Sequence, residues 1–294
     1  MTTHRPQLSI VLPAKNEAQS LGALLVEITK LHPTAELLVV DDGSTDETAA
    51  VAAEAGARVI RNAYSMGNGA AVKSGARAAQ GEILVCMDAD GQHSPSDIAR
   101  LLERLEQGFD MVVGARNSGS PANLGRSLAN GFCNRFASLI AGQRIEDLTS
   151  GFRAARADKF REFLYLFPNG FSYPTTVTMA FFRAGYAVGY VHIDAAKRVG
   201  KSHIRPIRDG IRFLLIIFKI GTLYSPLKIF LPIATIQVMI GLAHYANTYL
   251  STGRLTLGAI FMISSGLTIF LIGLVSEQIT QLTYRGTSGS KDAR

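Results

Sequence analysis

Charged side chains are missing from two long stretches of this 294-residue chain, Ile229 to Gly253 and Leu255 to Ser276. A bilayer crossing takes roughly 20 residues, so each uncharged run is long enough to span one. Two buried helices of a soluble core are the alternative, but two such runs back to back at the C-terminus favour a membrane hairpin. Cysteine is scarce as well. Cys86 and Cys133 stand far apart, which excludes a disulfide framework and fits reduced core thiols in a cytoplasmic domain. No signal peptide is expected, because Met1 to Gln7 is polar and the apolar stretch Leu8 to Leu12 is too short for one. The residues ahead of the hairpin are therefore expected on the cytoplasmic side, as the soluble part of an integral membrane protein.

Several familiar signatures also fail. Gly67-Asn68-Gly69 opens a predicted helix, but Val72 stands where a dinucleotide fingerprint needs its third glycine. Gly200-Lys201-Ser202 lacks the upstream glycine of a P-loop. No Ser-His-Asp set is suggested. The six histidines are scattered, and His93, His192 and His203 read as satisfied local residues rather than metal ligands. Neither an internal repeat nor a nucleic-acid-binding motif is found, so nucleic acid is not an expected partner.

The apolar fraction, 47%, is enough for a sizeable core ahead of the hairpin. The net charge is +7, and the excess is concentrated: between Lys197 and Lys228 eight basic residues face Asp209 alone. Basic residues beside a span are the positive-inside pattern and suit anionic lipid or a lipid phosphate. Within that stretch, residues 204–226 interleave Ile204, Ile207, Ile211, Leu214, Leu215 and Phe218 with Arg205, Arg208, Arg212 and Lys219. That reads as an amphipathic helix lying in the membrane interface.

Ahead of residue 204 the pattern alternates. Strands are predicted at Leu8–Pro13, Glu36–Val40, Arg58–Arg61, Ile83–Met87, Asp110–Gly114 and Ala187–Ile193. Helices are predicted at Ser20–Leu31, after Asp46 with Ser44 or Thr45 as the cap, and at Gly69–Ala79, Ser96–Glu106, Gly125–Ala141 and Pro174–Ala184. Strands alternating with helices describe an α/β fold, a mostly parallel Rossmann-like sheet with helices on both faces. Ligands then bind beyond the carboxyl ends of the strands, where the acidic clusters fall. The run Ile83 to Cys86 delivers Asp88 and Asp90 to such an edge. Two carboxylates one residue apart can face one hard cation, and oxygen ligands of this kind suit Mg²⁺ or Mn²⁺. A polar turn of the Asp-Gly type is the alternative reading of Met87 to His93.

Five clusters occur in order. They are Pro13 with Asn16-Glu17; Asp41-Asp42-x-Ser44-x-Asp46-x-Thr48; Asp88-Ala89-Asp90-x-Gln92; Gly114-x-Arg116; and Asp147-x-Thr149-Ser150-Gly151-Phe152-Arg153. Over about the first 205 residues the chain thereby resembles the family 2 glycosyltransferases of GT-A fold, in the polyprenyl-phosphate branch that includes dolichol-phosphate mannose synthases. The organisation that follows is a catalytic domain over 1–203, the amphipathic segment 204–226, two transmembrane helices over 227–284 and a polar tail at 285–294.

The resemblance implies a hexosyltransferase that moves mannose or glucose from GDP-mannose or UDP-glucose to a polyprenyl phosphate. Pro13, Asn16, Glu17 and Asp42, with Lys73 and Asp88, would bind the nucleotide sugar. Asp88, Asp90 and Gln92 would hold Mg²⁺ or Mn²⁺. Arg116, Arg126, Arg198, Lys201 and Ser202 would grip the acceptor phosphate and donor pyrophosphate, where arginine offers forked donors. Asp90, Arg116 and Asp147 would be the catalytic set, Asp147 as a residue that orients the Thr149–Arg153 loop. Relatives often carry a lysine after the serine matching Ser202; His203 stands here. A phosphate monoester has a second pKa of about 6, so this acceptor needs no protein base, and a single displacement would invert the sugar. Extension of a lipid-linked glycan and a non-catalytic membrane scaffold are the competing functions. The bilayer is an expected partner, and a homo-oligomer is left open.

Overall fold

The computed structural model describes residues 7–116, 124–170, 172–194, 215, 218, 221, 222 and 224–288, with 124–130 and 283–288 described by backbone alone. Strand β1 (Leu8–Ala14) has Ile10, Val11 and Leu12 fully buried in succession. Side chains alternate between the faces of a strand, so an unbroken buried run means that both faces are covered. Helix α1 (Ala18–Leu31) buries Leu21, Leu24, Leu25 and Ile28, the spacing of one helical stripe.

There follow β2 (Glu36–Asp41), α2 (Thr48–Glu54), β3 (Arg58–Arg61), α3 (Asn68–Ala78), β4 (Ile83–Cys86), α4 (Asp97–Glu106) and β5 (Met111–Arg116). Then come α5 (Leu124–Ala141), β6 (Arg153–Arg156), α6 (Ala157–Arg161), a 3₁₀ turn at Leu164–Leu166, α7 (Tyr173–Arg183) and β7 (Val188–Ile193). The sheet order is β3-β2-β1-β4-β6-β5-β7. Every neighbouring pair is parallel except those made by β6, which runs antiparallel to both β4 and β5.

Strand β6 is not among the sequence expectations, and its reversal positions the site. Its first residue, Arg153, pairs with Cys86 at the end of β4 and with Val113 in β5. The loop leading into it, 147–152, therefore arrives at the edge where β4 and β5 end. Arg-Ala-Ala-Arg is too short to show a period of two and carries a fully buried arginine, so nothing in its pattern marks a strand. A second difference is at α2. Neither Ser44 nor Thr45 caps it, because both are bonded to Asn16 and the helix begins only at Thr48, where Asp46 accepts from the Thr48 N–H at 3.1 Å.

Two long apolar helices, α8 (Pro226–Thr252) and α9 (Leu257–Ser288), complete the described chain. The segments Pro226–Thr252 and Leu257–Leu282 are long and apolar enough to cross a membrane. They pack closely where side chains are small: a Cβ on Gly266 would stand 2.6 Å from Val238 Cγ2, and one on Gly273 2.6 Å from Phe230 Cβ. Small residues at such a crossing let helices approach without a hydrophobic drive between them. Gln237 Nε2 adds a 3.2 Å hydrogen bond to Ser265 Oγ across the pair. Residues 139–142 at the end of α5 belong to this second compact unit, in which Lys228 Nζ donates to the Ile140 carbonyl at 2.8 Å. Of the amphipathic segment expected at 204–226, residues 204–214, 216, 217, 219, 220 and 223 lie outside the described residues; Leu215 and Phe218 are exposed.

Candidate active site

Beyond β4 the chain leaves the strand: Met87 and Ala89 are buried in the core, Asp88 is half-buried between them, and Asp90 is buried in the turn that follows. The Gln92 N–H donates to Asp90 Oδ1 at 3.1 Å, closing a short turn through Gly91. Ser20 in α1 donates to the Ala89 carbonyl at 2.9 Å and ties this turn to the start of the first helix.

His93 departs from expectation. It is 6% exposed, stacks on Phe152 with ring centroids 5.0 Å apart, and its buried Nδ1 has no hydrogen-bond partner. Burial pushes its pKa down against the opposing pull of the Asp90 carboxylate, which favours the neutral imidazole. It is a core residue, but not a satisfied one, and nothing in sequence distinguishes the two.

Arg116 at the end of β5 meets Asp147. Its Nε donates to Oδ2 at 2.8 Å and its Nη2 to Oδ1 at 3.0 Å, while Nη2 also reaches Thr149 Oγ1 at 2.5 Å. Asp147 Oδ1 accepts from the N–H groups of Thr149 and Ser150 as well, at 3.0 and 3.1 Å. Burial would raise the Asp147 pKa, yet the hydrogen bonds and charge of Arg116 and the N–H of Thr149 outweigh it and hold the carboxyl below its usual value. Such a group is a fixed anion that shapes the 147–152 loop. That loop then presses on the acidic turn: a Cβ on Gly151 would stand 2.7 Å from Asp88 Oδ2.

The expected nucleotide side is assembled from three loops. Asn16 takes the left-handed conformation at φ 55, its N–H donating to Ser44 Oγ and its Oδ1 accepting from the Thr45 N–H. The Glu17 N–H donates to Thr48 Oγ1, also at 3.0 Å. Asp42 accepts four hydrogen bonds, all at 2.8 Å: Oδ1 from Asn62 Nδ2 and the Met66 N–H, Oδ2 from Ser65 Oγ and the Gly67 N–H. A carboxylate offers about four lone-pair sites, so Asp42 fastens these loops together with its acceptors already taken. Lys73 is engaged too, by the Phe167 carbonyl at 3.3 Å and by the Asn169 side chain. Pro13 sits half-buried in β1, next to Val40 of β2.

Along its length the chain matches glycosyl transferase family 2 over residues 9–164 and the GtrB C-terminal hairpin over residues 225–282. It belongs to glycosyl transferase family 2. This glycosyltransferase is 28% identical over 287 residues to glycosyltransferase AglJ of Haloferax volcanii, with 93% of each chain covered. The dolichyl-phosphate hexose transferase of the same organism is 28% identical over 205 residues, covering 69% of this chain and 89% of that one. Among solved structures, glucosyl-3-phosphoglycerate synthase from Mycobacterium tuberculosis, in complex with Mn²⁺ and UDP-glucose, is similar with a TM-score of 0.57 at 25% identity. That likeness covers 72% of this chain and 78% of the other. The fold is GT-A, followed by a hairpin of two apolar helices.

In this glycosyltransferase Asp88, Asp90, Arg116, Asp147 and Thr149 converge on one edge, with Gln92 in the turn that Asp90 closes. Among the described residues no group of three or more His, Cys, Asp or Glu side chains could hold a metal by itself. Two carboxylates and an amide suit a hard divalent cation that completes its shell with water and substrate phosphate. The backbone of α5 passes through Arg126, whose side chain is not among those described, and Arg198, Lys201 and Ser202 lie outside the described residues.

Proposed function

We propose that this glycosyltransferase moves a hexose, mannose or glucose, from a nucleotide diphosphate sugar to a polyprenyl phosphate at the cytoplasmic membrane face, with inversion. The observation that carries this reading is the joining, in one chain, of a family 2 catalytic domain to a GtrB-type hairpin. A transferase built onto two apolar helices is suited to an acceptor that lives in the bilayer. The relative named dolichyl-phosphate hexose transferase, of which 89% is covered, supports the same acceptor class.

Asp88, Asp90 and Gln92 would hold Mg²⁺ or Mn²⁺, which when bound supplies positive charge against the leaving diphosphate. A Mn²⁺ complex with UDP-glucose in the solved neighbour supports that cofactor class and a nucleotide-sugar donor. Pro13, Asn16 and Glu17 would line the nucleotide pocket, which Asp42 and Lys73 hold in shape through their loop contacts. Arg116, kept charged by Asp147, would face donor or acceptor phosphate, joined by Arg126, Arg198, Lys201 and Ser202. The catalytic domain would end near 203, with 204–226 in the interface, 227–284 in the membrane and 285–294 as the tail. No group in the set needs to act as a base, since the acceptor is largely a dianion at neutral pH.

The test is a panel of labelled nucleotide sugars offered with a polyprenyl phosphate to the full chain in detergent, scoring lipid-linked product. One donor should yield a product that needs divalent metal and has the opposite anomeric configuration. Transfer only to a preformed lipid-linked glycan would replace this reading with chain extension.

A further inference from the structure

Arg153 is the largest fully buried side chain among the described residues, at 0% exposure, and no carboxylate there lies within ion-pairing distance of it. A buried guanidinium without an acid partner is costly unless its donors are used. Here Nη1 and Nη2 find acceptors, two backbone carbonyls and a threonine hydroxyl, while the buried Nε has none among the described residues. Nη2 donates to the Ser150 carbonyl; Nη1 donates to the Pro174 carbonyl and to Thr178 Oγ1, each at 3.2 Å. Its charge lies over the ring of Tyr173, 5.6 Å from the centroid. Tyr173 is itself buried, and its hydroxyl donates to the next carbonyl along, that of Gly151, at 2.9 Å. Two successive carbonyls of one turn are thus held by two buried side chains, one at the head of β6 and one at the start of α7.

On its other side the same turn meets the acidic edge. A Cβ on Gly151 would stand 2.7 Å from Asp88 Oδ2 and 3.2 Å from both Oδ1 and Cγ, so the Gly151 backbone is the wall against which that carboxylate rests. We propose that Arg153 and Tyr173 are positioning residues for the Asp88 carboxylate, acting through the Ser150–Gly151 turn. The inference rests on the reading of Asp88 and Asp90 as a cation site. Groups that orient a metal's ligands typically carry 10–100-fold of its affinity. Arg153 and Tyr173 would act in that way one step further back, through backbone.

The test is a manganese titration followed by EPR, on the full chain in detergent, with and without UDP or GDP. Tyr173→Phe removes one hydroxyl and keeps the ring. It should weaken Mn²⁺ binding by about 10-fold, read at the same interval below each protein's own Tm. Should that variant fail to fold, Thr178→Val leaves Arg153 one acceptor short and should weaken Mn²⁺ by about 3-fold. Unchanged Mn²⁺ affinity in the folded variant overturns the proposal, whatever happens to Tm. Wild-type protein that binds no Mn²⁺ under either condition would remove the cation reading and this inference together.

Discussion

Arg116 and Asp147 meet side by side, Nε on Oδ2 at 2.8 Å and Nη2 on Oδ1 at 3.0 Å, in a forked pair that spans 31 positions of sequence. The pair fixes charge at the sheet edge in both directions. Burial would lower the Arg116 pKa, but the Asp147 carboxylate overrides it and raises the value, while Asp147 itself is held low.

Asp147→Asn should therefore lower turnover without changing the shape of the pH–rate profile, because no proton is taken up by Asp147. Stability should fall by about 2 kcal/mol, less than the 3–5 of a fully buried pair because the Arg116 side chain is 38% exposed. The rate should rise with pH through the acceptor phosphate's second pKa, and loss of that rise in Asp147→Asn would identify Asp147 as a base after all. Steady-state rates between pH 5 and 9 decide it.

Asp90→Asn keeps shape and removes one charge from the acidic edge. Turnover should drop by on the order of 100-fold, together with metal-dependent donor binding. Near-wild-type activity of this variant in excess EDTA would leave the cation site without its central ligand.

Asp42 should report on pH through stability. Burial would raise its pKa, but the hydrogen bonds of Asn62, Met66, Gly67 and Ser65 prevail and hold it below the usual carboxylate value. A depressed folded pKa contributes stability that is complete above the unfolded value, about 3.9, and is lost as pH falls through the folded one. Asp42→Asn should lower Tm at pH 7, with a cost of about 1–3 kcal/mol, and the gap to wild type should narrow in acid. Thermal melts at pH 7 and pH 3.5 check this; a constant gap would count against the linkage.

Topology follows from charge. Eight basic residues between Lys197 and Lys228 outnumber the single Arg254 between the apolar runs, so both ends of the hairpin should face the cytoplasm. A reporter fused after Arg294 should score as cytoplasmic, and a signal from the opposite side would reverse the assignment.

How much could be read in advance depended on the range of the interaction. The strand runs, the α1 stripe and the five acidic or arginine-bearing clusters are local patterns, and the fold places those within the described residues at the carboxyl edge, as such patterns require. What escaped was decided by distant partners. β6 is a strand only because β4 and β5 flank Arg-Ala-Ala-Arg on both sides. Ser44 and Thr45 are good caps by type, yet Asn16, 28 or 29 residues away, claims them first. Asp42 has the look of a ligand-binding carboxylate, and its four donors from residues 62–67 show only in three dimensions. Arg153 stands in a recognisable cluster, but its burial beneath Gly151, and the part of Tyr173, leave no local mark.

Because β6 slots between β4 and β5, those two strands never touch each other directly. A nascent chain that had emerged only as far as residue 152 would hold a gap between β4 and β5 and leave one edge of β4 and both edges of β5 unpaired, since β7 also comes later, and such edges are the kind of surface on which other chains can add. Closing the gap takes a segment arriving some 40 residues after β5 ends, a non-local step that is slow on chain-entropy grounds. The acidic edge and the arginine edge would thus come into register only once β6 is in place, and the outer edge of β5 would stay open until β7 joins it.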